Sequence, residues 1–356
     1  METLPFSLLA VPLLAALAVP LTARATGRLI RVLHARQVID TPNARSSHDQ
    51  PTPRGGGLAL LAVALPLMAG LFALLGPFEA GAFEAGAFGA GPYGLLALAV
   101  GLMGVSFADD VRPLGAGPRL LVQAAAVGLG LLCLPAGVLT LGGLVPAVVG
   151  APLAALGWVW FINLYNFMDG IDGLAGVETA SLGVGVAFAG VLAGGAAVGW
   201  TAPGLILAGA AAGFLRWNWH PARVFLGDAG SVPLGFVLGG LLLVLVAQGH
   251  LLAALILPAT HVADATWTLC RRLIQGHRPW QAHREHFYQR AVQGGWSHDR
   301  VARAFAGVNL ALMGLAAGAV AWPGLAPGAL VLAAGSVIAL LIRLARVGRG
   351  DGGPRA

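Results

Sequence analysis

Four side chains with oxygen ligands recur every third residue in the run NLYNFMDGIDG: Asn163, Asn166, Asp169 and Asp172. On a helix this spacing puts all four on roughly one face. Amide and carboxylate oxygens on one face, with glycines between them, suit a hard cation and a phosphorylated ligand. A helix cap with a glycine turn would need one such residue, not four in register.

Other polar clusters are as compact. Asp109 and Asp110 are adjacent carboxylates at the end of an apolar run. Like charges side by side raise one pKa unless a cation or an arginine compensates. They read as a metal-associated or proton-accepting pair, or as a solvated helix end paired with Arg112 or Arg119. In NWHPARVFLGDAGS (Asn218 to Ser231), Asp228 sits among glycines where backbone can approach a ligand. The small residues after it open a helix whose N-terminus favours an anion. In DTPNARSSHDQPTPRGGG (Asp40 to Gly57), Arg45, His48 and Arg54 read as holding phosphate oxygens, or as inside-loop charges that only fix topology. In HREHFYQR, His283 and His286 lack the cysteine partners of a zinc site, and the neighbouring arginines suit phosphate better.

The elements that must position these clusters are membrane helices. The 356 residues are 57% hydrophobic and 10% charged, with mean hydropathy +0.80, against roughly 25% charged in soluble domains. Only helices or closed barrels span lipid, and long uninterrupted apolar runs exclude a barrel. All 21 basic residues are arginines lying between apolar runs, so the net charge of +6 reflects the positive-inside rule and not nucleic-acid binding. Cys133 and Cys270 show neither disulfide-framework nor metal-ligand spacing.

The first run, Leu4 to Leu21, lacks the basic start of a signal peptide and reads as a retained helix. Further helices are expected at about 57–76, up to Phe107, at 120–133, 146–161, from Val177, up to Leu215, at 232–247 and 251–269, and twice more near the end. The fold expected is all-α and polytopic, with about eleven spans of ~20 residues each. The N-terminus then falls in the periplasm and the C-terminus in the cytoplasm, and every arginine falls on the cytoplasmic side. The stretch PFEAGAFEAGAFGAGPYG reads as a low-complexity periplasmic linker. One integral-membrane catalytic domain spans 1–346, with active-site loops 40–57, 109–119, 163–176, 216–231 and 271–303 on one side. Residues 347–356 form a basic tail.

In this order, RSSHDQPTPRGG, FADDVRPLG, NLYNFMDGIDGLAG, HPARVFLGDAGS and the RxH of HREHFYQR resemble the polyprenyl-phosphate N-acetylhexosamine-1-phosphate transferases, glycosyltransferase family 4. Asp264 before Arg271 and Arg272 also fits. The resemblance implies transfer of a sugar-1-phosphate from a UDP-sugar to undecaprenyl phosphate in the bacterial inner membrane, releasing UMP. It implies Mg²⁺ on Asn166 and Asp228, with Mn²⁺ as a substitute. Asp109, Asp110, Asp169 and His286 are then the expected catalytic residues. Asp172, Asn218 and Phe225 would line a uridine pocket, and His48, Arg54 and Arg284 would contact phosphate or sugar. The partners implied are UDP-N-acetylhexosamine, undecaprenyl phosphate and membrane lipid, with a homodimer allowed.

Two departures bear on the branch. The pentapeptide-transferase branch has three consecutive histidines where this chain has His283-Arg284-Glu285-His286. The teichoic-acid and common-antigen branch follows its RxH with further histidines, where Tyr288 and Gln289 stand here. The likeness is therefore to the O-antigen-initiating enzymes. Two alternatives stay open: a phospho-MurNAc-pentapeptide transferase, and an ion-coupled transporter with Asp264 and His261 as a relay inside the ninth helix. A transporter would be expected to show inverted repeats, and none is visible.

Overall fold

The computed structural model describes residues 6–42, 50–75, 91–112, 114–194, 197–278 and 283–349. In lipid every backbone N–H and C=O must be satisfied within the protein, and helices do this segment by segment. The helices are α1 (Phe6–Ala35), α2 (Gly57–Leu75), α3 (Gly91–Val111), α4 (Ala116–Cys133), α5 (Ala147–Phe167), α6 (Leu174–Ala193), α7 (Ala197–Thr201), α8 (Pro203–Asn218), α9 (Asp228–Ala247), α10 (Leu251–Ile256), α11 (Ala259–Ile274), α12 (Phe287–Gln293), α13 (His298–Ala321) and α14 (Ala326–Gly348). Among the described residues, ten helices are long and apolar enough to cross a membrane. One short antiparallel pair, β1 (Ile39–Asp40) with β2 (Thr52–Pro53), lies between α1 and α2.

Several boundaries differ from the sequence expectation, most of all that of α1, which runs past Leu21 to Ala35 and so carries Arg24, Arg28 and Arg31 on the helix and not in a loop. The predicted ninth helix is two, α10 and α11, because Pro258 has no N–H to continue the hydrogen-bond ladder. Among the described residues this leaves ten helices of spanning length beside the about eleven expected. α5 continues to Phe167, past the predicted end at 161, and α3 continues to Val111, so Asp109 and Asp110 belong to its last turn. Of the expected linker 77–94, residues 77–90 lie outside the described residues and 91–94 open α3; Arg45, His48 and the tail beyond 349 lie outside them too.

α9 is the central pillar. Nearly every residue from Ala229 to Val246 is buried, and α2, α3, α5 and α6 pack around it. Trp158 of α5 stacks on Phe236 of α9 and donates its indole N–H to the Phe236 carbonyl (2.8 Å). A second apolar cluster, including Met168, Tyr288, Phe305 and Leu344, ties the end of α5 to α12, α13 and α14. The end of α9 that begins with Asp228 therefore sits where α2, α3 and α5 also present polar termini.

Candidate active site

Backbone stitching brings two distant motifs together. The Phe225 N–H donates to the Pro53 carbonyl (2.8 Å), Gly55 and Gly56 donate to the Phe225 carbonyl (3.2 and 2.8 Å), and Gly57 donates to the Leu226 carbonyl (2.9 Å). The starts of α2 and α9 then touch: a Cβ added at Gly57 would stand 2.1 Å from the Gly230 Cα. Gly227 has φ +76°, and a Cβ there would meet the Asp110 carboxylate at 3.0 Å, so the turn into α9 favours glycine on both counts.

A network of charge lies on this junction. Arg54 reaches Asp110 through Nε (3.0 Å) and Asp228 through its terminal nitrogen (2.7 Å). Arg119 reaches Asp109 (3.3 Å) and the other Asp228 oxygen (3.4 Å). The Asp110 oxygens accept the backbone N–H groups of Asp228 (3.3 Å) and Ala229 (3.0 Å), placing an anion on the N-terminus of α9. Asp109 accepts from the Leu114 N–H. The sequence pair therefore splits into two roles: Asp110 holds the junction, and Asp109 faces a cavity.

That cavity, of about 920 Å³, runs between α3, α4 and α5. Leu102, Val105, Leu120, Val127, Leu156 and Val159 make apolar walls, and Asp109, Arg119, Asn166 and Asp228 line it as well. Asn166 donates to Ser231 Oγ (3.0 Å), which commits its amide nitrogen and leaves Oδ1 as a ligand atom. The adjacent Asn163 bonds Gln123 (2.7 Å) and the Val159 carbonyl (2.8 Å).

Asp169 lies in the turn after α5 and interacts with the same charges. Burial raises its pKa well above the usual carboxylate range; Asp228 and Asp110 push the same way, and Arg54 offsets only part. Counting Asp109, Asp110, Asp169 and Asp228 against Arg54 and Arg119 gives four negative and two positive charges, an excess of two when all are ionised. A divalent cation on oxygen ligands fits that excess and that donor set. This predicts a pH dependence. An acid whose folded-state pKa is raised favours folding below its unfolded value, about 4, and loses that contribution as pH rises through the folded value. The melting temperature in EDTA should therefore fall with rising pH above about 4, Mg²⁺ should flatten the fall, and Asp169→Asn should make it shallower. A wild-type slope identical to that of Asp169→Asn would refute the assignment.

The four-residue face expected from the spacing is not a helical face. Asn163 and Asn166 are in α5, but the helix ends at Phe167 and Asp172 turns elsewhere. One Asp172 oxygen accepts from His220 Nδ1 (2.7 Å) and the Ala222 N–H (3.1 Å), with His298 Nδ1 at 3.2 Å. Burial would raise the Asp172 pKa, but these partners hold it below the usual carboxylate range. Asn218 is buried beside it, accepting from the Gly173 N–H (3.0 Å) and donating to the Val224 carbonyl (2.9 Å). Phe225 is half-buried on the strand-like stretch beside Arg54.

His286 is buried at the start of α12, with Nδ1 3.3 Å from Asp264. Asp264 also accepts the N–H groups of Phe287 (2.9 Å) and Tyr288 (3.1 Å), so α11 anchors α12. Tyr288 donates to the Phe167 carbonyl (2.9 Å), and the His286 ring stacks at 6.5 Å on Phe167, which lines the cavity. Glu285 pairs with Arg271 (2.8 Å) and Arg272. Burial, His286 and these arginines push His283 down to about 4, so it stays neutral near pH 7. Arg284 is half-buried in the same loop.

Sequence reasoning missed three partners. Arg119 read only as a neighbour of the aspartate pair, yet it reaches across to Asp228. His298 lies 126 residues from Asp172 with no local signal. Glu178 is wholly buried in α6 and paired with His261 (3.1 Å) and Asn309 (2.6 Å), which gives His261 a partner inside the fold.

The sequence profile described as Glycosyl transferase family 4 matches residues 92–246, which include Asp109, Asp110, Asn166, Asp169, Asp172 and Asp228. The chain is 32% identical to the phospho-N-acetylmuramoyl-pentapeptide-transferase of Synechococcus sp. (strain RCC307), over 80% of this chain and 81% of that one. It is also 32% identical to the decaprenyl-phosphate N-acetylglucosaminephosphotransferase of Mycolicibacterium smegmatis, over 91% and 85%. A 34% identical relative, the phospho-N-acetylmuramoyl-pentapeptide-transferase of Pelotomaculum thermopropionicum, aligns over 69% and 81%.

Proposed function

Since the chain belongs to glycosyl transferase family 4, the membrane-embedded polyprenyl-phosphate sugar-1-phosphate transferases, we propose that it transfers N-acetylhexosamine-1-phosphate from a UDP-sugar to undecaprenyl phosphate. The observation that carries this is the cavity: apolar walls for a long hydrocarbon, and Asp109, Arg119, Asn166 and Asp228 for a phosphate. An oxygen of the lipid phosphate attacks the β-phosphorus, the phosphoanhydride to the α-phosphate breaks, and UMP leaves. The lipid phosphate is already largely ionised near neutral pH, so positioning and charge neutralisation matter more than a strong base.

Asn166 Oδ1 and Asp228 would hold Mg²⁺, or Mn²⁺ in its place, which would neutralise diphosphate charge. Arg119 and Arg54 hold phosphate oxygens, and Asp109 orients the acceptor phosphate. Asp110 keeps the N-terminus of α9 in place. Asp172 and its histidines, with Asn218 and Phe225, receive the uridine. His286, Arg284 and Arg54 steady the sugar phosphate from the rim. The positive-inside distribution of arginines supports a cytoplasmic site in the bacterial inner membrane. The loop after His283 supports the branch that starts O-antigen.

The donor is the point on which relatives divide, because both N-acetylglucosamine-phosphate and phospho-MurNAc-pentapeptide transferases align along most of the chain. Purified protein is incubated with undecaprenyl phosphate, Mg²⁺ and either labelled UDP-GlcNAc or labelled UDP-MurNAc-pentapeptide. Lipid-linked label from UDP-GlcNAc is expected; label from the pentapeptide donor alone assigns the other branch, and label from neither overturns the transferase reading. Gly128→Trp tests the acceptor groove. A Cβ at Gly128 meets nothing within 4 Å, so the indole should fill the cavity without unfolding the helix. KM for the lipid should rise about tenfold or more, with KM for the nucleotide sugar unchanged.

A further inference from the structure

We propose that the groove between α1 and α8 binds the phosphate headgroup of an anionic glycerophospholipid. This site is separate from the carboxylate-lined centre and independent of the reading just given. α1 has 30 residues, about 45 Å at ~1.5 Å per residue, against a hydrocarbon layer of ~30 Å. Its final turns stand in the headgroup layer, on the side where Arg54 and Asp228 meet.

The spacing along α1 draws one line. Leu13, Leu17 and Leu21 are exposed large apolar residues, and Arg24, Arg28 and Arg31 follow. From Leu13 to Arg31 is 18 residues in five steps, or 3.6 per step, which is one straight stripe on a helix. An apolar stripe thus runs directly into a cationic one. α8 lies against this helix so closely that a Cβ at Gly213 would be 2.3 Å from the Val19 carbonyl. Its last turn adds Arg216 to the cationic end.

Between the two helices is a cavity of about 520 Å³ lined by all four arginines, with Pro20, Ala23 and Trp217 as apolar wall. The Trp217 indole is fixed there by donating to the Ala23 carbonyl (2.7 Å). Among the described residues none of these four guanidiniums has an ion-pair partner, whereas Arg54, Arg119, Arg271, Arg272 and Arg303 each meet a carboxylate. Four like charges around one cavity repel one another, and an anion offsets that repulsion. Topology alone requires positive charge on this side of the membrane, not its alignment on one stripe around a cavity. A phosphate among the arginines with acyl chains along the leucine stripe satisfies both halves of the line. An interfacial tryptophan at the boundary suits the glycerol region.

Delipidated protein in neutral detergent is titrated with phosphatidylglycerol, phosphatidylcholine or inorganic phosphate and followed by native mass spectrometry and melting temperature. Phosphatidylglycerol should bind at least tenfold tighter than phosphatidylcholine, more weakly at higher salt, and inorganic phosphate should leave the melting temperature unchanged. Arg28→Gln/Arg216→Gln should weaken phosphatidylglycerol binding about tenfold or more, while Arg346→Gln/Arg349→Gln keeps it. Equal binding of the two lipids, binding that ignores salt, or wild-type affinity in the first double variant overturns the site. Inorganic phosphate protecting as well as phosphatidylglycerol overturns the lipid as its occupant. If the first double variant does not fold, the salt and headgroup dependence of the wild type decides alone.

Discussion

Asp228→Asn is expected to lower turnover about a thousandfold while the protein stays folded. Asp228 is where the charges of three distant segments converge: one oxygen takes Arg54 at 2.7 Å, the other Arg119 at 3.4 Å. Its backbone N–H, not its side chain, bonds Asp110, so an amide of the same shape leaves the start of α9 intact. What is lost is one negative charge and one hard oxygen ligand, which the proposed cation needs. The same substitution should abolish exchange of labelled UMP into UDP-GlcNAc, because forward and reverse transfer cross one transition state. One phosphoanhydride is broken and another made, so wild-type protein should run this exchange readily. Two results would sink the assignment: more than a tenth of the wild-type rate in the variant, or a loss of rate that only follows a loss of folded protein.

Gly57→Ala should do the larger structural damage. The added methyl would meet the Gly230 Cα at 2.1 Å and the Gly230 nitrogen at 2.7 Å, both backbone atoms. Backbone cannot rotate away as a side chain can, so α2 and α9 must separate, at a cost of about 1–3 kcal/mol or more. Separation also pulls Arg54, three residues before Gly57, from Asp110 and Asp228. Gly70→Ala in the same helix is the control, since nothing lies within 4 Å of a Cβ there and alanine is the better helix former. Thermal unfolding of the two variants side by side should show a lowered midpoint for Gly57→Ala alone, with activity lost further than the folded fraction. Equal midpoints would mean the helices part without cost and the close crossing does not hold the site.

Much of this protein was legible from its residues. Apolar runs separated by arginines determine a helical membrane protein, because lipid leaves no other place for those side chains and no other partner for that backbone. The motifs around Asp109, Asn166 and Asp228, in their order along the chain, carry the resemblance to the family. Local spacing, however, says nothing about where a helix stops. The run from Asn163 to Asp172 has helical periodicity throughout, yet the helix ends at Phe167, and the last two aspartates face different partners. Which of two adjacent carboxylates meets the cavity was equally closed to sequence. Asp109 and Asp110 differ only by about 100° around α3, and the packing of α9 against that helix assigns one to the backbone and the other to the cavity. Arg119 on Asp228 and His298 on Asp172 are contacts across 109 and 126 residues. Tertiary structure alone decides such pairs, because burial of the helices between them, not any local preference, brings the two ends together.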